Sequence, residues 1–283
     1  MTAEDEEPGQ PGDAAGQALR RQAGYRFVAA QRAFFRNSHG RVDSQWKADR
    51  SRVTEADLTL SRRLREAVAG DFPEDDFCTE EAEAGEQALR SRFAWIVDPI
   101  DGTNNYALGF PVCAISVALC ENGWPVYGWV YDHAEDRILH GGRGYGLWED
   151  DRHAPVLAAE SGGDWPLALS FPVPAERLAG LAPFLTGHRF RNLGSSTMEG
   201  AYAALGQFAG VVDFRVRIWD IAAVLPLLEA RGLAWEFLGP SPLPLRSFRS
   251  DAASVPYCGG LPATVAALRA AFGRGGGESS PAG

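Results

Sequence analysis

The chain has 283 residues, of which 45% are hydrophobic and 23% charged, and its formal net charge at pH 7 is −10. This composition is typical of a soluble globular protein with a sizeable core, and the acidic balance argues against nucleic acid or an anionic membrane as a partner. The acidic N-terminal residues have no apolar core and do not predict a signal peptide, and no apolar run in the sequence is long enough to predict a membrane span. The four cysteines show no CxxC spacing, which predicts reduced thiols in a cytoplasmic protein.

The first elements in chain order are predicted to be helical. Residues 1–15 are acidic and rich in Pro and Gly, which predicts a disordered tail. Apolar residues at helical spacing predict a helix from 14 to about 35. A second helix is predicted to begin after Thr54 as its N-cap and to run to about 69, with Asp57 at the capping-box position. Its predicted apolar face consists of Leu58, Leu60, Leu64 and Val68.

A short strand, 77–81, is predicted to end in the two acids Glu80 and Glu81, and after a polar loop a buried strand is predicted at 94–97. This strand leads into Asp98-Pro99-Ile100-Asp101-Gly102-Thr103-Asn104-Asn105-Tyr106. Pro99 prevents a regular strand ladder, Gly102 permits a backbone conformation closed to other residues, and Thr103 is typical of a helix start. Carboxylate oxygens bind hard cations and helix N-termini bind phosphate, so this one turn offers both.

The remaining elements alternate. Strands are predicted at 114–120, 125–131, 137–140 and 147–149, with a hairpin turn at 121–123. The second half is predicted as strand 167–170, a helix from about 175, strand 190–193, helix 197–207, strand 211–214, a helix after Asp220, strands 233–237 and 253–257, and helix 262–272. We therefore predict an α/β fold of mixed sheets with helix layers between them. The predicted organisation is an α+β lobe carrying the turn (16–150), an α/β lobe completing the site (151–273) and a flexible tail (274–283).

The turn resembles the signature of the inositol monophosphatase family, Asp-Pro-(Ile/Leu)-Asp-Gly-Thr-x-Asn-(Phe/Tyr), at every position. Further similarities to the family lie far away in the chain, at Thr79-Glu80-Glu81 (where the family usually has Gly before the acids), Gly194-Ser195-Ser196 and Trp219-Asp220-Ile221-Ala222-Ala223. The resemblance implies the layered αβαβα sandwich of the inositol monophosphatase and fructose-1,6-bisphosphatase type. It also implies a lithium-sensitive, Mg²⁺-dependent phosphatase that forms a homodimer.

The resemblance further implies a binding site for two or three Mg²⁺ ions, whose ligands are Glu80, Asp98, the carbonyl of Ile100, Asp101 and Asp220. The residues themselves support this, because four acids that converge from separate elements would repel one another unless divalent cations were bound. Each acid also has an ordinary interpretation: Asp220 as an N-cap, Glu80 as a solvated loop end, and Asp98 and Asp101 as turn residues. Their joint occurrence favours the metal site.

Three residues are implied to act in catalysis: Glu80, Thr103 and Asp57. A hydroxyl can take a proton from attacking water only if it passes its own proton to a base, and Asp57 would be that base for Thr103. Helix capping is the alternative role of Asp57. Lys47 is the single lysine of the chain and matches a lysine of the family; it is either a phosphate contact or a surface residue.

The predicted substrate contacts are Asp101, Gly102, Thr103, Gly194, Ser195, Ser196 and Asp213. Small residues permit close approach of a phosphate, and a helix N-terminus offers free N–H groups, although Ser195 would also serve as an ordinary N-cap. Asp213 stands where inositol-cleaving relatives carry a Glu that contacts a substrate hydroxyl, and it is shorter by one methylene group.

The leading substrate is inositol monophosphate, within the class of small phosphorylated polyols and sugars. The alternatives on the same fold are fructose 1,6-bisphosphate, a 3′(2′),5′-bisphosphate nucleotide and histidinol phosphate. A different class is a non-catalytic paralogue that acts by protein interaction. Such a paralogue is expected to have lost at least one of the acids, and none is missing.

Overall fold

The structure is a computed structural model that describes residues 14–46, 52–155 and 165–272. Residues 1–13, Lys47 and the predicted tail at 274–283 lie outside the described residues. The helices are α1 (Ala14–Ala29), α2 (Arg32–Ser38), α3 (Glu55–Asp71), α4 (Thr103–Leu108), α5 (Leu178–Gly187), α6 (Ser196–Ala204), α7 (Ile218–Ile221), α8 (Val224–Ala230) and α9 (Pro262–Phe272), with a 3₁₀ turn at Ala175–Arg177.

The strands of the first half are β1 (Ser44–Trp46), β2 (Arg52–Thr54), β3 (Asp76–Thr79), β4 (Gln87–Ala88), β5 (Phe93–Asp101), β6 (Ala114–Glu121), β7 (Trp124–Asp132), β8 (Arg137–Gly142), β9 (Gly146–Glu149) and β10 (Arg152–His153). Those of the second half are β11 (Leu167–Leu169), β12 (Phe190–Arg191), β13 (Gly210–Asp213), β14 (Ala234–Phe237), β15 (Ser247–Phe248) and β16 (Tyr257–Gly260). No helix within these described ranges is both long and apolar enough to cross a bilayer.

The described elements stack in alternating layers. Helices α1 and α3 cover one face of a seven-stranded sheet of order β10-β9-β8-β7-β6-β5-β3. Helices α6, α7 and α8 fill the space between that sheet and a five-stranded sheet of order β12-β11-β13-β16-β14, whose far face packs on α9 with α5 beside it. The αβαβα sandwich implied by the resemblance is therefore confirmed.

Strand β5 is buried along its whole length because helices cover both faces of its sheet. Alternate side chains of a strand point to opposite faces. Accordingly, Trp95 and Val97 belong to the core under α1 and α3, whereas Ala94 and Ile96 belong to the core between the two sheets. A strand buried on both faces has a continuous apolar sequence, which is the pattern seen at 94–97.

The predicted first helix is wrong in one respect, because it consists of two helices. Ala30 and Gln31 interrupt it between α1 and α2. The second helix inserts Phe35 edge-on between Tyr106 and Tyr131, at ring distances of 4.7 and 5.3 Å. Both pieces keep an apolar face, so the spacing of apolar residues could not show the break.

Helix α3 confirms the predicted capping box: Thr54 accepts from the Asp57 N–H, and Asp57 accepts from the Thr54 N–H. Its predicted apolar face is wrong at Leu58, whose side chain is 52% exposed. Leu60 and Leu64 are buried. Leu58 precedes Leu60 by two positions, about half a turn of an α-helix, and so points to the opposite side.

The predicted strands differ from the observed ones in two ways. The segment predicted as a strand at 253–257 pairs only from Tyr257, in β16, which continues through the glycines 259 and 260 between β13 and β14. A Cβ on Gly260 would lie 2.4 Å from the Cα of Gly210, so these strands require glycine although glycine is a poor strand former. The strands β1, β2, β4, β10 and β15 were not predicted, because segments of two or three residues carry no periodic signal.

Candidate metal centre

The predicted acids lie in the region where β3 and β5 end, and three of them, Asp98, Asp101 and Asp220, form one close group to which Glu80 does not belong. These strands are parallel, with Thr79 opposite Val97, so Glu80, which follows β3, lies at the level of Asp98 in β5. Helix α7 packs against β5 and brings Asp220 to this region. The carboxylate oxygens of Asp98, Asp101 and Asp220 lie within 4.8 Å of one another.

A β-bulge places Asp98 and Asp101 on the same side of the strand. Asp98 pairs with Ser116 and Asp101 with Ala114, so two residues of β5 oppose one residue of β6. In a regular strand, side chains three positions apart point to opposite faces, and the extra residue removes this difference. The prediction that Pro99 prevents a regular ladder is confirmed, although the strand itself continues to Asp101.

The cluster is electrostatically unfavourable without a cation. Burial raises the pKa of Asp98 well above its usual value, and the charges of Glu80 and Asp101 raise it further. Burial also raises the pKa of Asp220 well above its usual value, with the charge of Asp101 as the next cause. Burial raises the pKa of Asp101 to about 6. Closely spaced, buried carboxylate oxygens are the ligand set that suits Mg²⁺, so the residues present fit this ion.

Asp101 also lies at the N-terminus of α6. Its Oδ2 accepts hydrogen bonds from the Ser195 hydroxyl and, at 3.0 Å, from the Thr197 N–H. Ser195 is at the same time the N-cap of α6, because its Oγ accepts from the Met198 N–H at 3.3 Å. The acid of the central turn therefore takes up part of the helix N-terminus that the sequence assigned to phosphate. The role of Thr197 was missed, since the pattern Gly-Ser-Ser does not show which N–H groups are used.

The two segments predicted to contact substrate touch each other. Gly102 has a φ of 79°, and a Cβ on it would lie 3.1 Å from the Cβ of Ser195 and 3.2 Å from the oxygen of Gly194. The side-chain amide of Asn105 donates to the Leu193 carbonyl at 2.7 Å and so joins the segments. Only glycine satisfies both the positive φ and the close approach at 102.

Thr103 and Asp57 lie together as predicted. The Thr103 hydroxyl is 2.8 Å from the Ile100 carbonyl and 3.4 Å from Oδ1 of Asp57. Asp57 is fully buried, and its other oxygen accepts from the N–H and the hydroxyl of Thr54 at 2.7 and 2.6 Å. Burial raises the pKa of Asp57 to about 7. The capping role and the contact with Thr103 therefore use different oxygens of one carboxylate.

Asp220 lies within the short helix α7, and the helix predicted to follow it is α8, which begins at Val224. Helix α7 begins at Ile218, and the third residue, Asp220, accepts from the Arg217 N–H at 2.7 Å. The Asp220 carbonyl accepts from the Thr197 hydroxyl at 2.7 Å, which ties α7 to α6. The acid caps its own helix with one oxygen and lies in the acidic cluster as well.

Asp213 ends β13 and is only 2% exposed. Its Oδ2 accepts from the Ser196 hydroxyl and its Oδ1 from the Arg215 N–H, both at 2.7 Å. It therefore fixes Ser196 at the start of α6. The predicted contact of Asp213 with a substrate hydroxyl stays a prediction.

Glu199 is a buried acid that the sequence analysis did not single out. Its two oxygens accept from the Leu193 N–H at 2.7 Å and from the Ser170 hydroxyl at 2.6 Å. Burial raises its pKa to about 7. It holds the backbone just before Gly194, and the signal that could have revealed it is an acid in an otherwise small and apolar helix.

The sequence model of the inositol monophosphatase family matches residues 13–254. The fructose-1,6-bisphosphatase/inositol-1-monophosphatase of Aquifex aeolicus is 30% identical over 199 residues, which are 68% of this chain and 75% of that protein. The Nus factor SuhB of Pasteurella multocida is 30% identical over 200 residues, 68% of this chain and 74% of that protein.

Solved structures show the same fold. Staphylococcal inositol monophosphatase-1, in an inhibitory complex soaked in 100 mM LiCl, superposes with a TM-score of 0.78 at 20% sequence identity. The superposition covers 94% of this chain and 98% of that chain.

Proposed function

Because the chain belongs to the inositol monophosphatase family and is a phosphatase of that family, we propose that it hydrolyses a small phosphorylated polyol with Mg²⁺ as cofactor. Inositol monophosphate is the leading substrate. The observation that carries this proposal is the convergence of three carboxylates within 4.8 Å at the edge where Gly102 meets the start of α6. The family is metal-dependent, and the acids have the donor chemistry for it.

The proposed metal ligands are the predicted ones: Glu80, Asp98, the carbonyl of Ile100, Asp101 and Asp220. Bound Mg²⁺ would neutralise these acids and stabilise the charge that develops on the phosphate oxygens. This answers how a chain of net charge −10 accepts an anionic substrate. Glycine at 102 and 194 lets the central turn pack closely against the segment before α6, which brings both segments to the same site.

Thr103 and Asp57 are proposed to handle the proton of the attacking water. The Thr103 oxygen would accept a hydrogen bond from the water and donate its own proton to Oδ1 of Asp57, 3.4 Å away, once the Ile100 carbonyl, its nearer partner at 2.8 Å, binds the cation. A base with a pKa near the working pH transfers protons most effectively, and burial raises the pKa of Asp57 to about 7. The pair therefore orients the water and takes up its proton.

Removal of metal is the direct test of this function. Phosphate release from inositol 1-phosphate is expected to vanish with excess EDTA and to return with Mg²⁺, because the unneutralised acids repel an anion. Far-UV circular dichroism of the EDTA-treated protein checks that the fold persists. A rate that chelation leaves unchanged would rule out the metal mechanism. We also expect Li⁺ to inhibit, which is supported by the lithium complex of the staphylococcal protein.

Substrate choice is proposed to depend on Asp213. Asp213→Glu is expected to shift preference towards inositol 1-phosphate, because the longer side chain reaches a substrate hydroxyl. Asp213→Ala is expected to reduce discrimination roughly tenfold, since an unpaired polar contact costs about 1–3 kcal/mol. The measurement is kcat/KM for inositol 1-phosphate, fructose 1,6-bisphosphate and an aryl phosphate. Equal effects on all three substrates would show that Asp213 only holds Ser196.

A second candidate function comes from the relatives named Nus factor SuhB. In that case the chain would act through a protein partner in addition to, or in place of, catalysis. The retained acids favour catalysis, because a protein without enzymatic activity has no need of mutually repelling buried carboxylates. Absence of phosphate release from every substrate of a panel that also includes a 3′,5′-bisphosphate nucleotide and histidinol phosphate would favour the second candidate.

The proposed setting is the cytoplasm, supported by the four cysteines, which are all buried free thiols. A homodimer, implied by the resemblance, completes the proposal. Sedimentation equilibrium would distinguish it from a monomer of 30.5 kDa.

A further inference from the structure

A second group of metal-binding side chains lies outside the acidic cluster. One ligand atom from each of His39, Cys113 and His133 lies within 4.8 Å of the others. Cys113 precedes β6 and His133 follows β7, and these strands are antiparallel, with Ala114 opposite Asp132. The His133 N–H donates to the Cys113 carbonyl at 3.3 Å. His39 ends α2, with its ring 4.2 Å from that of His133.

The hydrogen bonds of these side chains leave ligand atoms unused. His39 Nε2 is 2.8 Å from the Phe110 carbonyl, and an N–H at that position leaves Nδ1 with a lone pair. Metal-binding histidines usually donate their second N–H to a carbonyl or carboxylate in this way. His133 Nδ1 is buried and has no hydrogen-bond partner among the residues that the structure describes. This nitrogen is therefore available as a metal ligand.

The Cys113 sulfur has only weak partners. It lies 3.7 Å from the Pro111 carbonyl and 3.9 Å from the Phe110 carbonyl, and the residue is fully buried. Cysteine sulfur and two imidazole nitrogens form a borderline-soft donor set. Such a set prefers Zn²⁺ over Mg²⁺, which takes oxygen ligands.

We propose that His39, Cys113 and His133 bind one Zn²⁺ ion, with the fourth position open to water. With Zn–S near 2.3 Å and Zn–N near 2.0–2.1 Å, tetrahedral ligands lie roughly 3.3–3.6 Å apart, so the three atoms, which lie within 4.8 Å of one another, would move closer together on binding. Binding breaks the S–H bond of Cys113, forms the Zn–S bond and releases the proton to solvent. The two metal centres share no ligand.

The site adjoins the central turn. The His39 ring packs edge-on against Tyr106, 5.4 Å away, and the Gly40 N–H donates to the Tyr106 carbonyl at 2.9 Å. Cys113 is the residue before Ala114, which pairs with Asp101. Bound Zn²⁺ would therefore join three segments that support the turn, namely the end of α2, the start of β6 and the end of β7.

The test is a zinc titration of the reduced, metal-free protein against a chromophoric chelator, with excess Mg²⁺ present to fill the acidic cluster. The wild-type chain is expected to take up one tightly bound equivalent, with release of about one proton. Replacing a metal's outer partners already costs 10–100-fold in affinity, so Cys113→Ala and His39→Gln should weaken binding by more than about 100-fold. Co²⁺ in place of Zn²⁺ should show a sulfur-to-metal charge-transfer band that Cys113→Ala lacks.

Cys120→Ala is the matched control. Cys120 is a fully buried free thiol on β6, the strand that begins directly after Cys113, and it belongs to no such ligand group in the described part of the chain. It should keep zinc affinity unchanged. A wild-type chain that binds no zinc under excess Mg²⁺, or a His39→Gln variant that binds it as tightly as wild type, would overturn the proposal. Circular dichroism verifies the fold of each variant. If Cys113→Ala does not fold, the zinc affinity of His39→Gln tests the proposal, because His39 is partly exposed and its replacement disturbs the core less.

Discussion

Asp98→Asn is expected to lower kcat by about a thousandfold and to weaken Mg²⁺ binding at the same time. Asp98 is buried and interacts electrostatically with Glu80 and with the other two carboxylates of the cluster, so the amide removes one of the negative charges that would bind the cation. A divalent cation contributes several kcal/mol of transition-state stabilisation, and each 1.36 kcal/mol is a factor of ten in rate. The measurements are steady-state phosphate release and calorimetric titration with Mg²⁺.

The metal-free stability of this variant separates lost function from lost fold. Because burial and neighbouring acids raise the pKa of Asp98, its ionised form disfavours the folded state. That cost is absent at acidic pH and grows as pH rises through the raised pKa. The melting temperature of metal-free Asp98→Asn should therefore exceed that of the wild type at pH 8.

Asp132→Asn is the matched control, since Asp132 is an equally buried carboxylate on the same sheet that pairs with Arg137 instead. It should keep turnover despite a loss of stability. Near-normal turnover of Asp98→Asn would show that the acids do not form the metal site.

Thr103→Val is expected to lower kcat by at least about 100-fold while Mg²⁺ affinity stays close to wild type. The substitution keeps the shape of the side chain but removes the hydroxyl that lies between the Ile100 carbonyl and Asp57. Positioned acid–base groups contribute about 10²–10⁴-fold to rate. Thr103→Ser restores the hydroxyl and should recover most of the activity. Equal losses in both variants would assign Thr103 to packing alone.

The pH profile tests the partner of Thr103. Asp57 accepts a proton only when ionised, so kcat should rise with pH through its pKa, which burial raises to about 7. Bound cations lower that pKa, which places the rise at or below pH 7. Asp57→Asn should abolish this limb of the profile. A wild-type rate that stays flat from pH 5 to 8 would exclude Asp57 as the base.

The sequence by itself predicted the parts of the site that lie within one continuous segment. The nine residues from Asp98 to Tyr106 carry the acids, the proline and the glycine whose backbone preferences make the turn, so local chemistry is sufficient there. The same holds for the capping box of Thr54 and Asp57 and for the hairpin at Asn122, whose φ is 52°.

Contacts between distant segments were decided only by the tertiary structure. The hydrogen bonds of Ser195 and Thr197 to Asp101 link residues more than 90 positions apart. The group of His39, Cys113 and His133 likewise depends on the β6–β7 register and on the break that directs α2 towards it. No local conformational preference determines these contacts, because they depend on how the apolar faces of the layers pack against each other. A side chain's neighbours, and hence the choice between cap, core residue and ligand, follow from that packing.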